Sequence, residues 1–204
     1  MGVISNGTTL LDAGAIDSGI ATGAMTLIKT LTASSSATLD FLNGTSNVVL
    51  DDTYKEYVFK FINIHPQTNV KNFTFQVDTG TNTSYNQAMT TTQFNAQGNE
   101  ADDSTGLGYN ASGDQAQGTA FQSIMDRVGS DADSCVVGSL HLFNPSSTTF
   151  VKHFIANCQA EQSAESRNFH TAGYVNTTTA LTRVRFKFNS GNIDSGIIKL
   201  YGIK

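Results

Sequence analysis

From Met25 onward the apolar and polar positions fall into short runs broken by Gly, Asn, Ser and Pro, the pattern of strands separated by turns. Leu27-Ile28-Lys29-Thr30-Leu31-Thr32 leads into a break at Ser34-Ser35-Ser36, and Ala37 to Leu42 ends at Asn43-Gly44. Tyr57 to Ile64 is apolar except for Lys60 and Asn63, and His65-Pro66 closes it. That run predicts a strand central to the core, stopped by the proline. Phe73, Phe75 and Val77 alternate with Thr74, Gln76 and Asp78, which predicts a half-buried strand; Thr90 to Phe94 is a weaker candidate. Val136 to Phe143, the turn Asn144-Pro145-Ser146-Ser147 and the return Thr149 to Asn157 predict a hairpin. Ala172 to Val175 is a further short candidate. Val184, Phe186 and Phe188 alternate with Arg183, Arg185 and Lys187, the clearest period of two in the chain, and Ile197 to Ile203 supplies the last strand.

Three segments depart from this pattern. Asn95 to Gly118 is long and rich in Gly, Asn, Asp and Ser, which predicts an exposed or mobile loop. Phe121, Ile124, Met125 and Val128 sit at helical spacing in a segment that fits a short helix or an irregular strand equally. Residues 1–25 sustain neither period and carry scattered apolar points at Leu10, Leu11, Ile16 and Ile20. The expected architecture is all-β: an antiparallel two-sheet sandwich, jelly-roll-like, over residues 26–204, preceded by an extended attachment segment over residues 1–25.

Composition reinforces the strand reading. Charged residues are 14% of the 204, and Thr, Ser and Asn together supply close to a third. Branched Thr suits a pleated surface, Asn and Ser suit turns, and few Lys and Glu leave few good helix formers. The net charge of −5 argues against a nucleic-acid partner, which calls for a basic surface. No stretch approaches the roughly 20 apolar residues of a membrane-spanning helix, so no membrane insertion is expected. The start, Met1-Gly2-Val3-Ile4-Ser5-Asn6, lacks a basic region followed by an apolar one, so the expectation is a protein made in a cytoplasm without a signal peptide.

Candidate chemistry is sparse. His65, His141, His153 and His170 are spread out, and only His141 and His153 could meet, on two arms of one hairpin; no Cys/His spacing suggests zinc. Acids cluster at Asp51-Asp52, at Glu100, Asp102 and Asp103, and at Asp131 and Asp133. Paired carboxylates could cleave glycosides, yet a chain without Trp is poorly equipped to line a sugar cleft. Glu100 to Asp103 could hold calcium, but its spacing is not that of an EF-hand loop, and solvated carboxylates are the simpler reading. Arg183, Arg185 and Lys187 put three cations on one strand face, with Lys199 a candidate neighbour, able to grip an anion or to face solvent. No nucleophile elbow, phosphate loop or dinucleotide fingerprint occurs, and no cofactor or enzymatic activity is expected.

Three stretches carry a resemblance. They are Tyr54-Lys55-Glu56-Tyr57-Val58-Phe59-Lys60-Phe61-Ile62-Asn63-Ile64-His65-Pro66, the turn Leu142-Phe143-Asn144-Pro145-Ser146-Ser147-Thr148-Thr149, and Ser190-Gly191-Asn192-Ile193-Asp194-Ser195-Gly196. With them the chain resembles, from about Met25 to its end, small fibre-type virion proteins of tailed bacteriophages of aquatic bacteria. The resemblance implies a virion location, a β-sandwich and a homotrimer, with no catalytic motif. The expected function is therefore that of a tail-fibre subunit, held to other virion proteins by its N-terminus and binding a host-surface glycan. Tyr85 and Tyr109 offer rings for sugar contact. A capsid decoration protein that stabilises the head is the alternative, and a small glycan hydrolase a remote one.

The two cysteines yield a geometric expectation. A two-residue loop at Ser146-Ser147 sets Phe143 against Phe150 and His141 against Lys152, and the same register brings Cys135 opposite Cys158. Opposed residues are about 4.5–5.5 Å apart at Cα, within disulfide reach, although a bulge would shift the pair apart. Made in a reducing cytoplasm, the thiols are expected to be neighbours and largely reduced.

Overall fold

Thr-rich segments bounded by Gly, Asn and Ser form strands along the whole described chain. A computed structural model describes the backbone of residues 3–5, 8–12, 15–16 and 24–204, and the side chains of Ile4 and residues 24–204. The strands are β1 (Val3–Ser5), β2 (Thr8–Asp12), β3 (Ala15–Ile16), β4 (Met25–Ser36), β5 (Leu39–Leu42), β6 (Glu56–Pro66), β7 (Lys71–Thr79) and β8 (Met89–Asn99). They continue with β9 (Thr105–Tyr109), β10 (Ala116–Gly118), β11 (Gln122–Val128), β12 (Val136–Phe143), β13 (Lys152–Gln162), β14 (Glu165–Val175), β15 (Leu181–Phe188) and β16 (Ile193–Ile203). No helix occurs among the described residues.

Two antiparallel sheets form a sandwich. The larger has nine strands in the order β10-β8-β14-β13-β12-β6-β16-β4, with β9 also on β8; the smaller is β11-β7-β15-β5. A separate small sheet, β1-β2-β3, pairs Leu11 with Val3 on one side and Ile16 on the other. Strand β6 is central, between β12 and β16, and its ladder continues to Pro66, which pairs with Ile193.

The core lies between the sheets and is built on phenylalanine. Phe186 of β15 has Phe41, Phe59, Phe61, Phe73 and Phe75 around it at ring separations of 5.1–6.3 Å counting the Phe41–Phe59 contact. All six rings are 0–2% exposed. Full burial of each is worth roughly 1.5–3 kcal/mol, and edge-to-face pairing adds about 0.5–1.5 kcal/mol per pair.

The two outer faces differ. On the smaller sheet, Thr74, Gln76 and Asp78 are buried as deeply as the Phe residues between them, so β7 is covered on both sides rather than half-buried. The cover is the chain's own loops. Gln76 Nε2 donates to the carbonyls of Gln87, Thr119 and Ala120, while the Asp78 carboxylate accepts from Thr79 N, Asn82 Nδ2, Tyr85 N and Gln87 Nε2. The loop so held lays Tyr85 against Arg185, whose guanidinium is 4.0 Å from the ring centre. Phe121 covers Lys187 in the same way at 4.6 Å. The larger sheet's outer face has no such cover among the described residues.

Several local expectations give way to register. Asn95 to Gly118 is no plain loop: Asn95–Asn99 completes β8, and β9 folds back on it, pairing Phe94 with Tyr109 and Ala96 with Leu107. The helical spacing around Phe121 to Val128 belongs to an irregular strand. β11 shifts register twice against β7, and Arg127 has a φ of 58°, so bulges bring Ile124, Met125 and Val128 to one buried side.

The hairpin of β12 and β13 is wider than a two-residue turn. Asn144 adopts a φ of 46°, and Ser147 Oγ accepts from Thr149 N and Phe150 N, so β13 resumes only at Lys152. Leu142 then pairs with Phe154 and Gly138 with Cys158, three positions from the expected register. Cys158 points into the core, whereas Cys135 lies just before β12 with its thiol 3.8 Å from Asn63 Oδ1; both are free. Gly138 is required where it stands. Its φ is 151°, and a Cβ there would come within 2.3 Å of the Asn157 carbonyl oxygen and 2.8 Å of Cys158 Cα.

Candidate functional site: the uncovered face of the larger sheet

Alternation along each strand of the larger sheet sends one set of side chains into the core and the other to a face that none of the described loops covers. On β13, Phe154, Ala156, Cys158 and Ala160 are buried while His153, Ile155 and Asn157 are exposed. Among the described residues, ten large hydrophobic side chains are exposed, and seven of them stand on this face: Met25, Leu27, Ile62, Phe94, Leu107, Tyr109 and Ile155. Isolated exposed apolar residues need no explanation, but a set on one face marks a contact surface.

Cross-strand register orders the face into rows. One row runs through eight strands, from Tyr109 to Phe94, His170, Asn157, Ser139, Lys60, Lys199 and Thr30, each directly opposite the next. With strands about 4.8 Å apart, its seven steps cover roughly 33 Å. At the aromatic end, Phe94 and His170 stack with centres 5.0 Å apart and planes at 27°. Phe94 is 46% and Tyr109 58% exposed, and the Tyr109 hydroxyl donates to Asp114. That bond leads the causes that push the Tyr109 phenol up from its usual value. Beside the rings, Asn168 Nδ2 donates to Asn157 Oδ1 at 2.8 Å. At the other end, Lys60 and Lys199 face each other, and neither pairs with a carboxylate among the described residues.

The flanking rows are mostly apolar. One passes through Leu27, Tyr201, Val58, His141, Ile155, Ala172 and Thr92; it overlooks an open depression of about 420 Å³ lined by Phe143, His153, Ile155, Tyr174, Thr90 and Thr92. The other contains Ile62, Ile197, Gln159, Asn168, Ala96 and Leu107.

The residues singled out from sequence are distributed unevenly. Tyr109 stands on the uncovered face. Tyr85 does not reach a surface: it is 2% exposed beneath Arg185, so its ring is unavailable to a ligand. In the stripe of Arg183, Arg185 and Lys187, Arg185 holds Asp40 through two bonds of 2.9 and 2.6 Å and Lys187 lies against Phe121, while Lys199 belongs to the other sheet. Glu100, Asp102 and Asp103 lie at the exposed tip of the β8–β9 hairpin, where Asn99 bonds Asp103. No group of three or more metal-ligating side chains assembles among the described residues. Leu10, Leu11 and Ile16 sit on β2 and β3, their side chains outside the described set, and Ile20 lies outside the described residues.

His141 and His153 share the uncovered face but have different partners. His141 Nδ1 meets Glu56 at 2.6 Å, and His153 lies against Tyr174. A second hollow brings together His65, Asp133, Cys135 and Asp194, residue types that could suggest a nucleophile. Burial and the negative charge of Glu161 push the Cys135 thiol up, the reverse of what an activated thiolate needs, and His65 Nδ1 is occupied by the Ser134 carbonyl at 2.7 Å. Compared with known proteins, the chain matches no family model, no curated protein and no solved structure.

Phe94, Asn157 and Lys60 escaped sequence reasoning, and His170 was read only as one of four scattered histidines. Phe94 ended a weak strand candidate and Lys60 merely interrupted an apolar run. The signal was present only as Lys60 and Lys199 alternating with buried neighbours inside strands; their opposition across β6 and β16 is a matter of register.

Proposed function

We propose that the protein is a fibre-type virion subunit that acts by binding rather than by catalysis. In this reading the N-terminal segment joins it to other virion proteins, the sandwich associates as a homotrimer, and the uncovered face meets a host-surface glycan. The observation that carries the reading is the unequal treatment of the two outer faces. The smaller sheet is sealed by the chain's own loops, while the larger leaves rings, amides and lysines in rows open to solvent. Sugars present apolar C–H faces that stack on exposed rings and hydroxyls that suit amide and hydroxyl side chains, and this row supplies both. Its width suits an extended chain better than a small substrate enclosed in a cleft.

The test is to locate the protein on intact virions by antibody labelling and to screen the purified chain on a glycan array, with turnover of host polysaccharide followed in parallel. Tail labelling with glycan retention and no turnover is expected. Labelling over the head without glycan retention would replace this reading by that of a capsid decoration protein. Shortening of the polysaccharide would make the protein a hydrolase.

A further inference from the structure

The row from Tyr109 to Thr30 is polarised, and its polarity specifies a ligand. We infer that it binds a linear acidic polysaccharide laid across the strands, with a sugar stacked on Phe94 and His170 and a carboxylate or sulfate held between Lys60 and Lys199. The inference rests on the glycan-binding reading above and narrows it to a charge class and a footprint.

Two like charges stand together at the lysine end of the row. Lys60 and Lys199 are direct cross-strand partners, an arrangement that costs stability when nothing lies between them. Among the described residues three cations have a carboxylate partner, Lys55 with Asp52, Arg167 with Glu165 and Arg185 with Asp40, and the other lysines and arginines have none. Lys60 and Lys199 have no such partner among the described residues. What sets these two apart is that they oppose each other directly in surroundings without acids. The chain's net charge is −5, yet the rows through Tyr109, Ile155 and Ile62 contain these two lysines and no carboxylate. Glu56, one row away, is taken by His141. An anion bridging the two ammonium groups would turn the repulsion into two charge-assisted bonds.

The remainder of the row fixes the kind of anion. Ser139 and Asn157 continue from Lys60 towards the rings, so hydrogen-bonding groups link the cationic end to the stacking end in one line. A free inorganic anion would use only the lysines. A polyanion without sugar faces would gain nothing from Phe94 and His170. Asp114, which holds the Tyr109 hydroxyl, disfavours an acid group at the aromatic end, so the ligand's acid belongs at the lysine end.

The experiment measures binding of the full-length protein to polygalacturonate, to a sulfated galactan and to neutral dextran, over a range of salt. Retention of one or both acidic polymers, weakening as salt rises, with little retention of dextran, is expected. Lys60→Gln with Lys199→Gln should weaken acidic-polymer binding by about tenfold or more, whereas Lys60→Arg with Lys199→Arg should retain it. Phe94→Ser with Tyr109→Ser should weaken it as well, and equal melting temperatures would show that each variant is folded. Binding unaffected by the glutamine pair, or dextran retained as well as the acidic polymers, overturns the acidic-ligand inference and leaves glycan binding in place. Failure to bind any of these polymers, together with a blank glycan array, removes the glycan-binding reading itself.

Discussion

Replacing Asp78 by alanine should destabilise the protein more than any surface change, because one buried carboxylate organises the cover of the smaller sheet. The side chain is fully buried, and its four donors come from Thr79, Asn82, Tyr85 and Gln87. Hydrogen bonds to a charged acceptor are worth about 1.5–3 kcal/mol each. Simple addition overstates the loss, because the Asn82 and Gln87 amides can turn to water while the buried Tyr85 N–H cannot. A net cost of about 3–5 kcal/mol is expected, a large part of the roughly 5–15 kcal/mol that holds a typical domain together. In a domain of this size that lowers the melting temperature by roughly 6–20 °C. Asp78→Asn keeps one acceptor oxygen and should fall between the variant and the parent. Thermal unfolding followed by circular dichroism gives the stability, and hydrogen exchange at the Tyr85 amide gives the local consequence. An alanine variant that melts within about 2 °C of the parent, with that amide still protected, would refute the account.

Alkaline stability should depend on Tyr57, whose phenol is pushed up to about 12 by burial first and then by the charge of Asp51. Its contribution is intact below the ordinary tyrosine value of about 10 and is lost as pH rises from there through 12, so Tyr57→Phe should make the alkaline decline shallower in urea titrations. The free cysteines should differ in reactivity: an aromatic disulfide reagent should modify Cys135 alone in the native protein and both thiols in denaturant, and an intramolecular disulfide formed in the native state would contradict the register. Deleting residues 1–24 should leave a folded sandwich that no longer enters virions, and normal assembly of the truncated chain would remove the attachment role. Mass measurement of the purified protein at micromolar concentration should give three chains; a monodisperse monomer would count against the trimer.

The sequence by itself determined what alternates. Period two around Val184, Phe186 and Phe188, the apolar run from Tyr57 to Ile64, and Gly/Asn/Ser breaks were enough for an all-β sandwich, because which face a side chain takes is a local property of the strand. The same locality explains the failures. Thr74, Gln76 and Asp78 look solvent-facing, and only loops arriving from residues 80–88 and 112–121 make that face interior. Tyr85 looks like a surface ring until Asp78 fixes its amide and Arg185 closes over it. The cysteine pairing went astray because Asn144 to Val151 form a wider turn than two residues, and three positions of slip reverse the face that Cys135 shares with Cys158. The candidate site is the extreme case. Its eight residues come from eight strands, and what aligns them is a chain of cross-strand registers set by bulges and turn widths far apart in sequence. Burial periodicity is written locally; which strands become neighbours, and at what offset, is decided only when the sheets close around Phe186.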